Sequence, residues 1–133
     1  MKRFEDLVVY QRAIKLMLVV YAVTKDFPPE ERYGVTSQIR RASFSVMRHL
    51  AEGQGRLSLG EWRQFLNQAR GSLYEIQSDC IGSMELGYLS EDDSERVRDA
   101  VRDTAKPLAG LIKYVTKRER ERRQPTTNNP PPT

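Results

Sequence analysis

Cysteine, histidine and tryptophan each occur once in these 133 residues. One cysteine, Cys80, excludes an intrachain disulfide and a cysteine-based zinc cluster, and it suits a reducing cytosol. One histidine, His49, excludes multi-histidine metal centres. It also excludes the di-iron bundle pattern, which needs Glu-x-x-His on two helices, so Glu52, Glu75, Asp79 and Glu85 do not add up to a carboxylate metal site. A general base needs a positioned nucleophile or water, and none is evident near His49, which reads as structural. Long apolar runs are missing too. The longest, Leu16 to Val23, has eight residues, whereas a membrane span needs about 20. No glycine-rich loop leads into a Lys-Ser or Lys-Thr that would hold a phosphate. The opening MKRFEDLVVYQ carries Glu5 and Asp6 and lacks a small-residue cleavage site, so no signal peptide is expected. No catalytic residue, metal or cofactor is expected, and no membrane partner; the expected location is the cytoplasm.

Charge is plentiful but unevenly placed. Hydrophobic residues make up 38% and charged residues 30% of the chain, with a net charge of +4. That composition fits a soluble, charge-rich helical domain with a core of its own. Residues 37–70 hold six arginines (Arg40, Arg41, Arg48, Arg56, Arg63, Arg70) against Glu52 and Glu61. Residues 71–116 hold nine acids against five bases, and the run KRERERR at 117–123 adds a net +3. A basic block, an acidic block and a basic end in one small chain can serve a polyanion or an oppositely charged protein surface, a copy of the chain included.

Four helices follow from punctuation and period. The first spans about Asp6 to Asp26. Its stripes Leu7-Ile14-Met17-Tyr21 and Val9-Ala13-Leu16-Val20-Val23 cover more than half its circumference, so burial on several sides is expected, with another subunit as the second cover. Phe27-Pro28-Pro29 ends it. The second starts at Thr36 or Ser37 as cap, buries Ile39, Ala42, Val46 and Leu50, and leaves at Gly53 and Gly55 by a left-handed exit. Ser58 and Glu61 have capping-box spacing ahead of the third helix. There Trp62, Phe65/Leu66, Ala69, Leu73, Ile76, Cys80 and Met84 recur every three or four residues. Gly71 is expected to permit close helix approach, and Gly87 marks the end. Ser90 caps the fourth helix, whose first turn holds Glu91, Asp92 and Asp93 and whose seam runs Val97, Val101, Ala105, Leu108, Leu111/Ile112, Val115. Pro107 is expected to kink it. The predicted fold is all-α, an antiparallel up-down-up-down four-helix bundle over 1–119. A basic to proline-rich disordered tail is expected over 120–133.

The residues Phe4-Glu5-Asp6-Leu7, Val9-Tyr10-Gln11 and Ala13 resemble the opening signature of a known family. Tyr33-Gly34-Val35-Thr36-Ser37-Gln38-Ile39-Arg40-Arg41-Ala42 resembles its second and strongest. Ala51-Glu52-Gly53, Gly55-Arg56, Phe65-Leu66, Gly71-Ser72-Leu73-Tyr74-Glu75 and Leu86-Gly87-Tyr88-Leu89 follow in order. Over residues 4–116 the chain resembles the four-helix-bundle proteins encoded in 23S ribosomal RNA intervening sequences, which are related to accessory proteins of diversity-generating retroelements. The resemblance implies a cytosolic bundle assembling as a ring-like homopentamer. For the retroelement branch it implies a basic pentamer that engages a reverse transcriptase and nucleic acid. No established activity comes with the intervening-sequence branch.

The arginines are the candidate site. Arg41 and Arg48 lie seven apart on the second helix, and Arg56, Arg63 and Arg70 repeat the spacing, the latter two on one face of the third. Arginine grips phosphate bidentately, and several such contacts make binding salt-dependent. Phe44 and Tyr74 are the aromatic candidates for stacking bases, with the core as their other place. Arg40, Arg41, Arg48, Arg56, Arg63, Arg70, Lys117 and Arg118 are therefore the expected nucleic-acid contacts. The competing reading is a solvated face, or ion pairs to Glu52, Glu75 and the acidic start of the fourth helix. The expected function is a non-enzymatic, oligomeric, RNA- or DNA-associated accessory. The alternative is a protein-interaction scaffold whose basic and acidic blocks pair between subunits or with a partner protein.

Overall fold

A computed structural model describes residues 3–123 of the chain. Four long helices carry the fold: α1 (Val8–Thr24), α2 (Val35–Gln54), α3 (Leu59–Glu85) and α4 (Glu91–Arg123), with short 3-10 turns at Phe4–Asp6 and Pro29–Glu31. Each helix packs on its neighbours in sequence, and α4 closes back on α1, while the backbones of the diagonal pairs stay apart. Gln38 meets Asp79 near one end of α2 and α3, and Gly53 meets Trp62 and Phe65 near the other, so these two helices run antiparallel. The result is a four-helix bundle.

The apolar stripes land inside largely as their spacing requires. Val9, Ala13, Leu16, Val20 and Val23 of α1 are buried, as are Ile39, Ala42, Val46 and Leu50 of α2. Leu66, Ala69, Leu73, Ile76 and Cys80 of α3 join Val97, Val101, Leu108 and Val115 of α4. The other α1 stripe, Leu7-Ile14-Met17-Tyr21, is only half-buried, and Trp62, Phe65 and Met84 sit at the margin of the core.

Capping follows the sequence at three sites and departs from it at two. Ser58 Oγ accepts from the Glu61 amide at 3.0 Å, and Ser90 Oγ accepts from the Asp93 amide at 3.1 Å. Gly87, at φ 79°, ends α3: its amide donates to Met84 O and the Tyr88 amide donates to Ser83 O, both at 2.9 Å. This doubly bonded stop needs a left-handed residue, which glycine adopts without a Cβ clash. By contrast α2 starts at Val35 with Gly34 as its cap, and the Thr36 hydroxyl is buried without a partner among the described residues. Neither Thr36 nor Ser37 caps this helix. Nor does α2 leave left-handed, because Gly55 stays right-handed at φ −83°.

Two glycines depart from their expected roles. Gly53 is where α2 and α3 come close: a Cβ there would lie 2.9 Å from Phe65 Cβ and 3.0 Å from Trp62 Cδ1. Gly71 is exposed, with nothing within 4 Å of such a Cβ. The first helix also starts later than expected, since Asp6 belongs to a 3-10 turn and Val8 opens α1.

Pro107 does not interrupt α4, which runs unbroken to Arg123, beyond the boundary expected at residue 119. Proline has no amide to bond the carbonyl four residues back, here that of Asp103. Arg12 of α1 takes that place, its Nη1 donating to Asp103 O at 3.1 Å. The orphaned acceptor thus ties α4 to α1. Residues 124–133, the rest of the expected tail, lie outside the described residues.

The glycine contrast is directly measurable. In urea denaturation, Gly53→Ala is expected to lower stability by about 1–3 kcal/mol through overpacking. Gly71→Ala is expected to raise it by up to about 1 kcal/mol, through helix propensity alone.

Candidate nucleic-acid interface

The start of α2 and the end of α1 form an open groove of about 690 Å³. Its cations are Arg32, Arg40, Arg41 and Arg48, its rings Tyr21, Tyr33 and Phe44, and no carboxylate lines it. Helical spacing explains the arrangement. Ile39, Ala42, Val46 and Leu50 turn inward, so the residues between them, Arg41, Phe44 and Arg48, must face out. All three are exposed.

Arg40 has a different job from its neighbour. Its Nε donates to Thr24 Oγ1 at 2.9 Å, and its guanidinium lies 4.5 Å from the centre of the Tyr21 ring. The Thr24 hydroxyl in turn donates to Val20 O at 2.8 Å. This chain of contacts anchors the end of α1 to α2 and makes Arg40 the floor of the groove. Phe44 packs edge-on against Tyr21 with centroids 5.9 Å apart. On the far side Arg41 and Arg48 also line a smaller recess of about 350 Å³, where Glu75 is the one acid.

The remaining candidates separate into three places. Arg56, at the α2–α3 junction, lies over the Phe65 ring at 4.7 Å. It shares a second pocket with Arg118, while Lys117 and Arg118 line a shallow groove near the end of α4. Arg63 does not present a free guanidinium: its Nε donates to Glu119 Oε2 at 2.8 Å. The partner is neither Glu52, Glu75 nor the acidic start of α4, but a carboxylate from within the basic run. Arg63 and Arg70 therefore differ in surroundings despite their common spacing. Arg70 is exposed and lines none of these grooves. Phe44 and Tyr74 are not core residues; they are 40% and 65% exposed.

Arg32 and Tyr33 line the groove but were not among the expected contacts. Tyr33, 88% exposed, stands at the mouth of the groove with the Arg32 guanidinium 5.6 Å from its ring. An Arg-Tyr pair directly ahead of a basic helix was the available signal. It was hidden because the loop's place over α2 depends on how α1 ends.

Three of the nine acids of the acidic block are paired within α4. Asp93, Glu95 and Asp99 pair with Arg96, Arg98 and Arg102, each three residues on. Cys80 is buried on the seam, and burial pushes its thiol up to about 11, far from a reactive thiolate. His49 is half-buried beside Phe65, at 6.0 Å between ring centres. Among the described residues no three His, Cys, Asp or Glu side chains gather as metal ligands, and no helix is long and apolar enough to cross a membrane.

The sequence profile of the 23S rRNA-intervening sequence protein family matches residues 5–110. The chain belongs to that family. A crystal structure of a protein of unknown function from the S23 ribosomal protein family of Bacteroides thetaiotaomicron VPI-5482 is similar in fold. It has a TM-score of 0.73 at 18% identity and spans 82% of this chain and 98% of that one. No curated protein matches the chain. Neither the family description nor the neighbour's name states an activity.

The Arg63–Glu119 pair sets a pH dependence. The Arg63 hydrogen bond, with the charges of Arg63 and Arg123, holds the Glu119 carboxyl below the usual carboxylate range, against a smaller opposing effect of burial. A carboxyl depressed by folding stabilises the fold above its unfolded pKa, and that stabilisation is lost as pH falls through the folded pKa. Glu119→Gln should therefore melt below the parent at pH 7, and the gap should close in acid below the carboxylate range. A gap independent of pH would show that the ion pair is not its source.

Proposed function

We propose that this protein is a non-catalytic RNA-binding accessory that acts as a homo-oligomer, with the α2 groove as its main contact. One observation carries the reading: four arginines and three aromatic rings converge on one groove that no carboxylate lines. Guanidinium groups grip phosphate oxygens in pairs, and exposed rings offer faces for bases. Arg41 and Arg48, two turns apart on α2, lie roughly 10 Å apart along the axis, which allows them separate phosphates. The printed descriptions of the family and of the structural neighbour name 23S rRNA and a ribosomal protein. RNA is accordingly the first polyanion to try.

Oligomerisation is carried by the family resemblance; on α1, Val8 and Leu18 are 57% and 58% exposed. Apolar side chains on the outward face of a helix suit contact with a second copy. A ring of copies would repeat a modest groove several times, and repeated weak sites gain avidity without new contacts. The scaffold alternative has the other six acids of residues 71–116 to draw on, since Asp93, Glu95 and Asp99 already have arginine partners on α4.

Fluorescence anisotropy with structured RNA, single-stranded DNA and duplex DNA over a salt series is the test, with light scattering in the same buffers. Arg41→Ala with Arg48→Ala is expected to weaken RNA binding about tenfold or more. It should also lower the slope of log affinity against log salt by about two, at unchanged oligomer mass. Loss of the oligomer with RNA binding per subunit unchanged would instead favour the scaffold. Arg63 is a poor probe for this purpose, since its removal also strands Glu119.

A further inference from the structure

The opposite end of α2 carries a second, more enclosed pocket of about 270 Å³. It is built where the α2–α3 junction meets the last turns of α4. Leu57, Leu59, Trp62 and Tyr114 supply its apolar walls, and Arg56, Arg118 and Arg122 stand around them. No carboxylate lines it.

Two of the three arginines, Arg56 and Arg118, are held in place by their neighbours. Tyr114, Arg118 and Arg122 recur at four-residue spacing, so they share one face of α4. Arg118 Nη1 donates to Tyr114 Oη at 2.9 Å, and Arg56 rests on the Phe65 ring. Glu119 faces away, bound to Arg63 and Arg123, its side chain only 13% exposed. That pair docks the end of α4 on α3, and by doing so sets Arg118 and Arg122 beside Arg56. Glu121 lines the adjoining shallow groove. Leu57 lies fully in solvent, a position that gains nothing for the fold and suits a side chain that closes over a bound group.

We propose that this pocket takes one unpaired nucleotide of an RNA strand. The base lies among Leu57, Trp62 and Tyr114, and its phosphate lies on Arg118 and Arg122. A flat ring system joined to an anionic phosphate matches an apolar pocket ringed by guanidinium groups. An apolar ligand alone would leave the arginines idle, and a bare anion would leave the apolar walls uncovered. A paired base within a duplex has its faces stacked and cannot enter, so the pocket would make the protein prefer single-stranded or looped RNA. The inference rests on the RNA-binding reading and adds to it the form of RNA.

Trp62 is the only tryptophan in the chain, so its fluorescence reports on this pocket alone. The probes are a short single-stranded RNA, a blunt RNA duplex of the same sequence, and inorganic phosphate. Saturable quenching by the single strand is expected, with little from the duplex or from phosphate. Arg118→Ala with Arg122→Ala should shift the quenching midpoint about tenfold. Leu57→Ala should reduce quench depth at an unchanged melting temperature, which separates the effect from misfolding. Arg41→Ala with Arg48→Ala should weaken total binding yet leave the quench at saturation intact. RNA binding by anisotropy without Trp62 quenching would overturn this pocket while leaving the α2 groove standing. Equal quenching by duplex or by phosphate alone would overturn it as well. Absence of RNA binding in both measurements would remove the RNA-binding reading itself.

Discussion

Leu16, Ile39, Leu50, Leu66, Ile76 and Leu108 are almost wholly removed from water, one or two from every helix. Burying each such side chain contributes about 1.5–3 kcal/mol, and no other interaction in the chain comes near that sum. The seam therefore dictates rotation: once Ile39, Val46 and Leu50 face inward, Arg41, Phe44 and Arg48 have no other direction than outward. The arginine groove is a consequence of core packing, before any selection for a ligand is considered.

Polar contacts then refine what the seam has placed. Arg12 meets the Asp103 carbonyl that Pro107 leaves without an amide, joining α1 to α4. Arg40 reaches Thr24 and Tyr21, joining α1 to α2. Arg63 holds Glu119, joining α3 to α4. Three arginines thus work as cross-helix ties. Ties of this kind cannot serve a ligand fully, because their donors are already engaged. Arg32, Arg41, Arg48, Arg118 and Arg122 form no cross-helix tie and stand at the two grooves. Counting arginines overstates the ligand-facing charge, and its division between two ends of α2 was not visible from the count.

The two grooves lie along one helix of 20 residues, a length of about 30 Å. Under the proposed function, the open groove would take phosphates and offer ring faces at its edge, and the enclosed pocket would take one group. Division of labour between general backbone contact and discrimination by shape is a common solution in nucleic-acid recognition.

Four helices, their inner stripes and the caps at Ser58, Gly87 and Ser90 could be read from residues alone, because each depends on neighbours within about four positions. Membership of the family was legible for a similar reason, through short ordered signatures from Phe4 to Leu89. The roles of Gly53 and Gly71 were not legible. Both sit in helices, and only the packing of α2 on α3 decides which one must lack a Cβ. The same holds for Arg63 and Arg70, alike in spacing and unlike in surroundings. Its partner Glu119 lies 56 residues away in sequence. The chain by itself determined the main inner stripe of each helix, since periodicity suffices for that. Which outward residues meet one another was decided only by tertiary structure, because closure of α4 on α1 and α3 brings together groups that no local pattern connects.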